Sequence, residues 1–140
     1  MFLLDTNVVS DGMKPKPDKV VLGWLQNTPS SQTFLSVITI GEITRGINKQ
    51  TGTKRSIEIS KWLETDLIPL FAGRILPIGE TTMRVWGSIY AQAINLGHTP
   101  PLMDSLLAAT AIEHGLILVT RNTKDIALLP VTTLNPWTTT

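Results

Sequence analysis

Phe2-Leu3-Leu4-Asp5-Thr6-Asn7 begins with three apolar residues and ends with three polar ones. A short apolar run bounded by turn formers reads as a buried strand, here one that hands Asp5 to a polar turn at its carboxyl end. Near the other end of the chain, Ile117-Leu118-Val119-Thr120 has the same character. It hands on Arg121 and Asn122, with Asp125 three residues later. Between these two lie Thr33-Phe34-Leu35 and Ile75-Leu76-Pro77-Ile78. Pro77 cannot donate to a sheet, which sets that strand at an edge or stops it there. Val131-Thr132-Thr133-Leu134 reads as the last strand.

Helical patterns fill the intervals. Val20 to Gln26 is amphipathic, after a loop at Lys14-Pro15-Lys16-Pro17. Thr39-Ile40-Gly41-Glu42 has the spacing of a capping box, with Glu42 in the first turn of a helix running towards Asn48. Gly52 precedes a helix from about Ser56 to Leu67. Trp86, Ile89, Tyr90 and Ala93 form a stripe at helical spacing between Glu80 and Leu96, with Gly97 as its stop. That stripe reads as core in preference to a platform for stacking bases. Pro100-Pro101 opens a further helix through His114, ended by Gly115. Strands that alternate with helices imply one α/β domain over residues 1–140: a mainly parallel central sheet with helices on both faces.

Composition removes several function classes. The 140 residues are 42% hydrophobic and 16% charged, a globular balance, and contain no cysteine. Disulfides, Cys-ligated zinc and thiol catalysis are therefore excluded. No apolar run is long enough to span a bilayer, and the Met-Phe-Leu-Leu-Asp start has no basic segment, so no membrane association, no secretory signal and a cytoplasmic location are expected. Net charge is +1. Setting aside Asp5, Glu42, Asp104 and Asp125 leaves seven acids against twelve Lys and Arg, a mildly basic surround for an acidic pocket.

In open α/β sheets, ligands bind beyond the carboxyl ends of the strands. This topology can bring Asp5, Glu42, Asp104, Asp125 and the Asn122 amide to one such edge. Clustered carboxylates repel one another unless a cation sits among them, and oxygen ligands without Cys select Mg²⁺ or Mn²⁺. Such an ion activates water and clamps a phosphodiester, so phosphodiester hydrolysis is the natural reaction. Each residue also has a plainer reading. Asp5 can make an Asx turn, Glu42 can partner Thr39, and Asp104 can answer the helix dipole. Asp125 can be a cap, and Asn122 can accept a left-handed turn. His98 and His114 read as surface or helix-end residues.

Leu4-Asp5-Thr6-Asn7, Ser36 to Glu42 (Ser-Val-Ile-Thr-Ile-Gly-Glu), Met103 to Ala111 (Met-Asp-Ser-Leu-Leu-Ala-Ala-Thr-Ala) and Thr120-Arg121-Asn122 together resemble the ordered motifs of PIN-domain proteins. Within that family the chain is most similar to VapC-type toxins of bacterial toxin–antitoxin pairs. Leu70 to Pro77 and Asn135-Pro136-Trp137 resemble the FitB-like subgroup. The resemblance implies a Mg²⁺- or Mn²⁺-dependent endoribonuclease that forms a homodimer and is neutralised by a small VapB/FitA-like antitoxin. That antitoxin's DNA-binding half would link the complex to operator DNA. Asp5, Glu42 and Asp104 match the three principal family acids. Asn122 stands where the family often has Asp, which makes Asp125 a candidate substitute. Asn7 and Thr120 match polar positions that support the site, and Arg121 is a candidate contact to RNA phosphate.

Competing chemistries fit less well. A haloacid-dehalogenase-type phosphotransferase wants a second Asp where Asn7 stands. A receiver-type phosphoacceptor needs an acidic pair and a late Lys, neither of which is clear. There is no P-loop and no G-x-G-x-x-G. The rival from a different class is a partner subunit of a DNA-binding repressor with little nuclease activity.

Overall fold

The computed structural model describes residues 1–138. Strands β1 (Phe2–Leu4), β2 (Thr33–Ser36), β3 (Ile75–Leu76), β4 (Ile117–Val119) and β5 (Thr133–Leu134) pair in the order β3-β2-β1-β4-β5. Every pairing is parallel. From β1 the chain builds outward through β2 to β3, then returns to the far side of β1 for β4. The strand order therefore reverses between β1 and β4, the place where open α/β sheets form a crevice.

Side chains alternate across these strands because the strand period is two. Leu3, Leu118, Phe34 and Leu76 face one core, closed by Ile89, Ala93, Leu107 and Ala111. Leu4, Leu35, Val119 and Ile75 face the other, with Val8, Val21, Ile43, Leu63, Leu67 and Phe71. The first core is covered by α6 (Glu80–Asn95) and α7 (Leu102–His114). The second is covered by α1 (Thr6–Ser10), α2 (Lys19–Asn27), α3 (Val37–Lys49), α4 (Lys54–Trp62) and α5 (Ile68–Leu70). The two-sided cover expected from the β/α alternation is what the fold has.

Several local readings change. Asp5-Thr6-Asn7 is not a turn: Asp5 is the N-cap of α1, and its carboxylate accepts from the Thr6 backbone N–H at 2.7 Å. Thr39 does not cap the helix after β2. Ser36, the last residue of that strand, does so through Ile38 N–H at 3.0 Å, which moves Glu42 into the second turn. The helix expected to end near Leu67 takes a wider turn over Leu63–Leu67 and continues through Pro69 to Leu70. The edge strands β3 and β5 are two residues each, shorter than the four-residue segments expected at Ile75 to Ile78 and Val131 to Leu134. Asp125 heads no helix; residues 123–128 are turns.

Two contacts fix the elements that carry site residues. Trp86 packs half-buried on the first core, and its indole N–H donates to Ser105 Oγ at 2.9 Å, pinning the first turn of α7 against α6. The aromatic stripe on α6 is thus packing, as its spacing implied. After α7, Gly115 takes φ 66, a left-handed conformation that suits glycine, and Leu116 N–H closes on Ala111 O at 2.8 Å. The chain then turns directly into β4.

Candidate active site

The register of β1 on β4 pairs Leu4 with Val119, so the residues that follow, Asp5 and Thr120, leave the sheet side by side. Asp5 N–H donates to Val119 O at 2.9 Å. The Thr120 hydroxyl donates to Asp5 Oδ2 at 2.8 Å, while Oδ1 takes the Thr6 N–H. Both carboxylate oxygens are thereby oriented in a residue only 4% exposed. Burial raises the Asp5 pKa; the Thr120 hydroxyl and the Thr6 N–H oppose that rise, and the charge of Glu42 adds to it.

Glu42 arrives from α3. Thr6 Oγ1 donates to Glu42 Oε1 at 2.6 Å, and the Thr6 and Thr39 hydroxyls are hydrogen-bonded at 3.1 Å. Thr6 therefore joins the two acids, its backbone on Asp5 and its side chain on Glu42. Asp104 lies in the first turn of α7, half-buried. Its pKa is pushed up to about 6, first by burial, then by the charges of Asp5, Asp125 and Glu42, against a hydrogen bond from the Asn122 side chain. Asn122 is itself set by its backbone N–H on Thr120 Oγ1 at 3.1 Å. The charges that act on Asp104 come from three other segments, so four acids share one neighbourhood.

The expected residues divide clearly. Asp5, Glu42, Asp104, Asn122 and Thr120 meet at the crevice, and Asp125 is an exposed charge at its rim. Asn7 is exposed on α1 and its side chain makes no hydrogen bond among the described residues; Thr6, its neighbour in the same motif, takes the supporting position instead. Buried Thr39 is likewise part of the site where a cap was expected. Thr6 was reachable from sequence, since it precedes Asn7 in the run that delivers Asp5. His98 and His114 stay outside, His98 at 3.0 Å from the Asp125 carbonyl and His114 at 3.6 Å from Glu113.

The donor set is all oxygen and predominantly anionic, which fits a hard divalent cation. Among the described residues no group of three or more Asp, Glu and His side chains is spaced to hold a metal ion by itself. The acids stand near enough for Asp5, Glu42 and Asp125 to act on Asp104 without forming a closed cage. An open arrangement of this kind suits Mg²⁺, which keeps waters and takes one or two carboxylates together with substrate phosphate.

This geometry agrees with the similarity to known proteins. The PIN domain family model matches residues 2–128. "Toxin FitB" of Neisseria gonorrhoeae is 36% identical over 137 residues, covering 98% of this chain and 99% of that protein. "VapC ribonuclease Y4jK" of Sinorhizobium fredii is 34% identical over 137 residues, covering 98% of each. A solved structure of FitAB bound to an IR36 DNA fragment superposes with a TM-score of 0.94 at 34% identity, covering 100% of this chain and 98% of that one. Among the described residues no helix is long and apolar enough to cross a membrane. With its parallel sheet, its acids at the strand reversal and its sequence all in agreement, the chain belongs to the PIN domain family.

Proposed function

We propose that this chain is a divalent-metal-dependent endoribonuclease and the toxin of a toxin–antitoxin pair. The observation that carries the reading is the convergence of acids at the mouth of the sheet: Asp5 is held by Thr6 and Thr120, Glu42 is joined to it through Thr6, and Asp104 lies within reach of their charges. Such a cluster has a use where a cation and a polyanion meet. The relatives named toxin and ribonuclease support it.

Asp5 and Asp104 would hold Mg²⁺ or Mn²⁺, with Asn122 or Asp125 completing the set. The bound ion would supply an activated water and a clamp on the phosphodiester. The chain's own residues do the rest. Thr6 and Thr120 keep the Asp5 carboxylate in one rotamer. Thr6 occupies Glu42 Oε1 and leaves Oε2 to accept a proton from an attacking water. Burial of Asp5 limits competing hydration.

The partners follow from the same reading. The solved complex named FitAB on DNA supports an antitoxin of the VapB/FitA kind that carries the pair to operator DNA, so cleavage belongs to the free chain and autorepression to its complex with the antitoxin. An antitoxin arginine fits the acidic crevice, where a guanidinium pairs bidentately with carboxylate. The exposed apolar residues Met83, Ile94 and Leu96 on and just after α6, with Leu102 and Met103 opening α7, support a homodimer. Light scattering at tens of micromolar should report twice the chain mass; a monomer at that concentration contradicts the dimer.

Calorimetric Mn²⁺ titration tests the metal site. Asn122 is half-buried and bonded to Asp104, whereas Asp125 is exposed. Asn122→Asp should tighten Mn²⁺ binding on the order of tenfold, the equivalent of about 1.4 kcal/mol, and Asp125→Asn should change it little. The reverse pattern makes Asp125 the fourth acid. No Mn²⁺ binding by the wild-type chain overturns the metal-dependent reading.

A further inference from the structure

Arg121 stands between two site residues. Thr120, before it, bonds Asp5, and Asn122, after it, bonds Asp104. Its own side chain is exposed and enters no ion pair among the described residues. Instead its guanidinium carbon lies 4.8 Å from the centroid of the Trp137 ring.

Trp137 is built onto the same edge of the sheet. Thr120 N–H donates to Leu134 O at 2.9 Å, which ties the end of β5 to the residue that orients Asp5. The chain then turns over buried Pro136, with Trp137 N–H donating to Asn135 Oδ1 at 2.9 Å. The indole packs, partly buried, against the core that contains Leu4, Val8 and Val119. The guanidinium lies over the ring. A long exposed side chain is thereby held near one place at the rim of the crevice.

We propose that Trp137 is a positioning residue that holds Arg121 for a phosphate of the RNA strand adjoining the one that is cut. A planar guanidinium matches phosphate oxygens, and stacking on an aromatic face lowers the ordering entropy that such a contact costs. Asn135 and Pro136 shape the turn that presents the ring. This inference rests on the ribonuclease reading and adds a site element from the far end of the chain.

The test uses Asp5→Asn protein, so that RNA is bound without being cut, and an unstructured mixed-sequence RNA oligonucleotide as the probe. Kd is measured by fluorescence anisotropy over a salt series. Arg121→Ala should weaken binding about tenfold and flatten the slope of log K against log salt by about 0.7, one single-strand phosphate contact. Trp137→Leu should weaken binding about threefold, with Trp137→Phe close to the parent. The decisive comparison is the double variant: Trp137→Leu added to Arg121→Ala should cost nothing more, because its effect passes through Arg121. If Trp137→Leu does not fold, as judged by circular dichroism, the cycle is run with Trp137→Met, which keeps apolar bulk and removes the aromatic face. Additive losses, or an unchanged slope in Arg121→Ala, overturn the proposal, as does absence of RNA binding by the Asp5→Asn parent. Cleavage by the wild-type chain is assayed in parallel. Its failure removes the ribonuclease reading, whereas intact cleavage with a flat Arg121 and Trp137 series removes only the positioning role.

Discussion

Asp5→Asn protein is expected to fold normally and to cut RNA about 10²–10³-fold more slowly than the wild type. Asp5 is the buried acid whose two oxygens are fixed by Thr6 N–H and the Thr120 hydroxyl. Asparagine has nearly the same shape and can still accept one of these bonds, so the packing survives. It removes the charge that a cation needs. Because burial and the Glu42 charge both disfavour ionised Asp5, the substitution also relieves strain, and Tm should be unchanged or slightly higher. A melting curve and a cleavage time course on one preparation check both halves. Wild-type cleavage rates in protein free of contaminating nuclease would remove Asp5 from the chemistry.

The second large effect concerns Asp104 and pH. Its folded-state pKa, about 6, lies above the ordinary value of 3.8. A carboxyl raised in this direction contributes stability that is fully present below the unfolded value and is lost as pH rises through about 6. Metal-free wild type should therefore lose stability at this group between pH 4 and 7. Asp104→Asn, neutral throughout, should not. Discounted for the partly exposed position, the difference is about 1 kcal/mol, or roughly 3 °C in Tm at pH 7 in favour of the mutant. Metal reverses the balance, since the ion binds only the ionised site. Mn²⁺ affinity of the wild type should fall about tenfold for each pH unit below 6. Parallel pH profiles of Tm for wild type and Asp104→Asn, each without metal, measure the first effect. Superimposable profiles would mean that Asp104 does not feel the other acids.

What the sequence made legible follows from where the information is stored. Phe2-Leu3-Leu4 and Ile117-Leu118-Val119 are apolar on both sides because both sides of a parallel strand are covered, so the two central strands could be read directly. Once they were placed, Asp5 and Asn122 fell at their ends, and with them most of the site. The errors share a cause, which is that local pattern does not carry tertiary partners. Thr39 and Glu42 have capping-box spacing, yet β2 runs into α3 with no intervening loop. The strand's own last residue, Ser36, takes the cap and Glu42 is released towards Thr6. Helix α1 is five residues long and rich in β-branched side chains, so only the cap at Asp5 marks it. Arg121 could be nominated as a phosphate contact. That Trp137 lies under it depends on how β5 docks on β4, which no local pattern shows.

The central claim is that the acids at the reversal between β1 and β4 hold a cation that cuts RNA. Isolated wild-type chain, free of any antitoxin and dialysed against EDTA, is mixed with total cellular RNA, and Mn²⁺ or Mg²⁺ is then restored. The account predicts no cleavage in EDTA, discrete new RNA ends on addition of either ion, and none when the same addition is made to Asp5→Asn protein. Cleavage that continues unchanged in EDTA, or that the ions restore equally to Asp5→Asn protein, would contradict it.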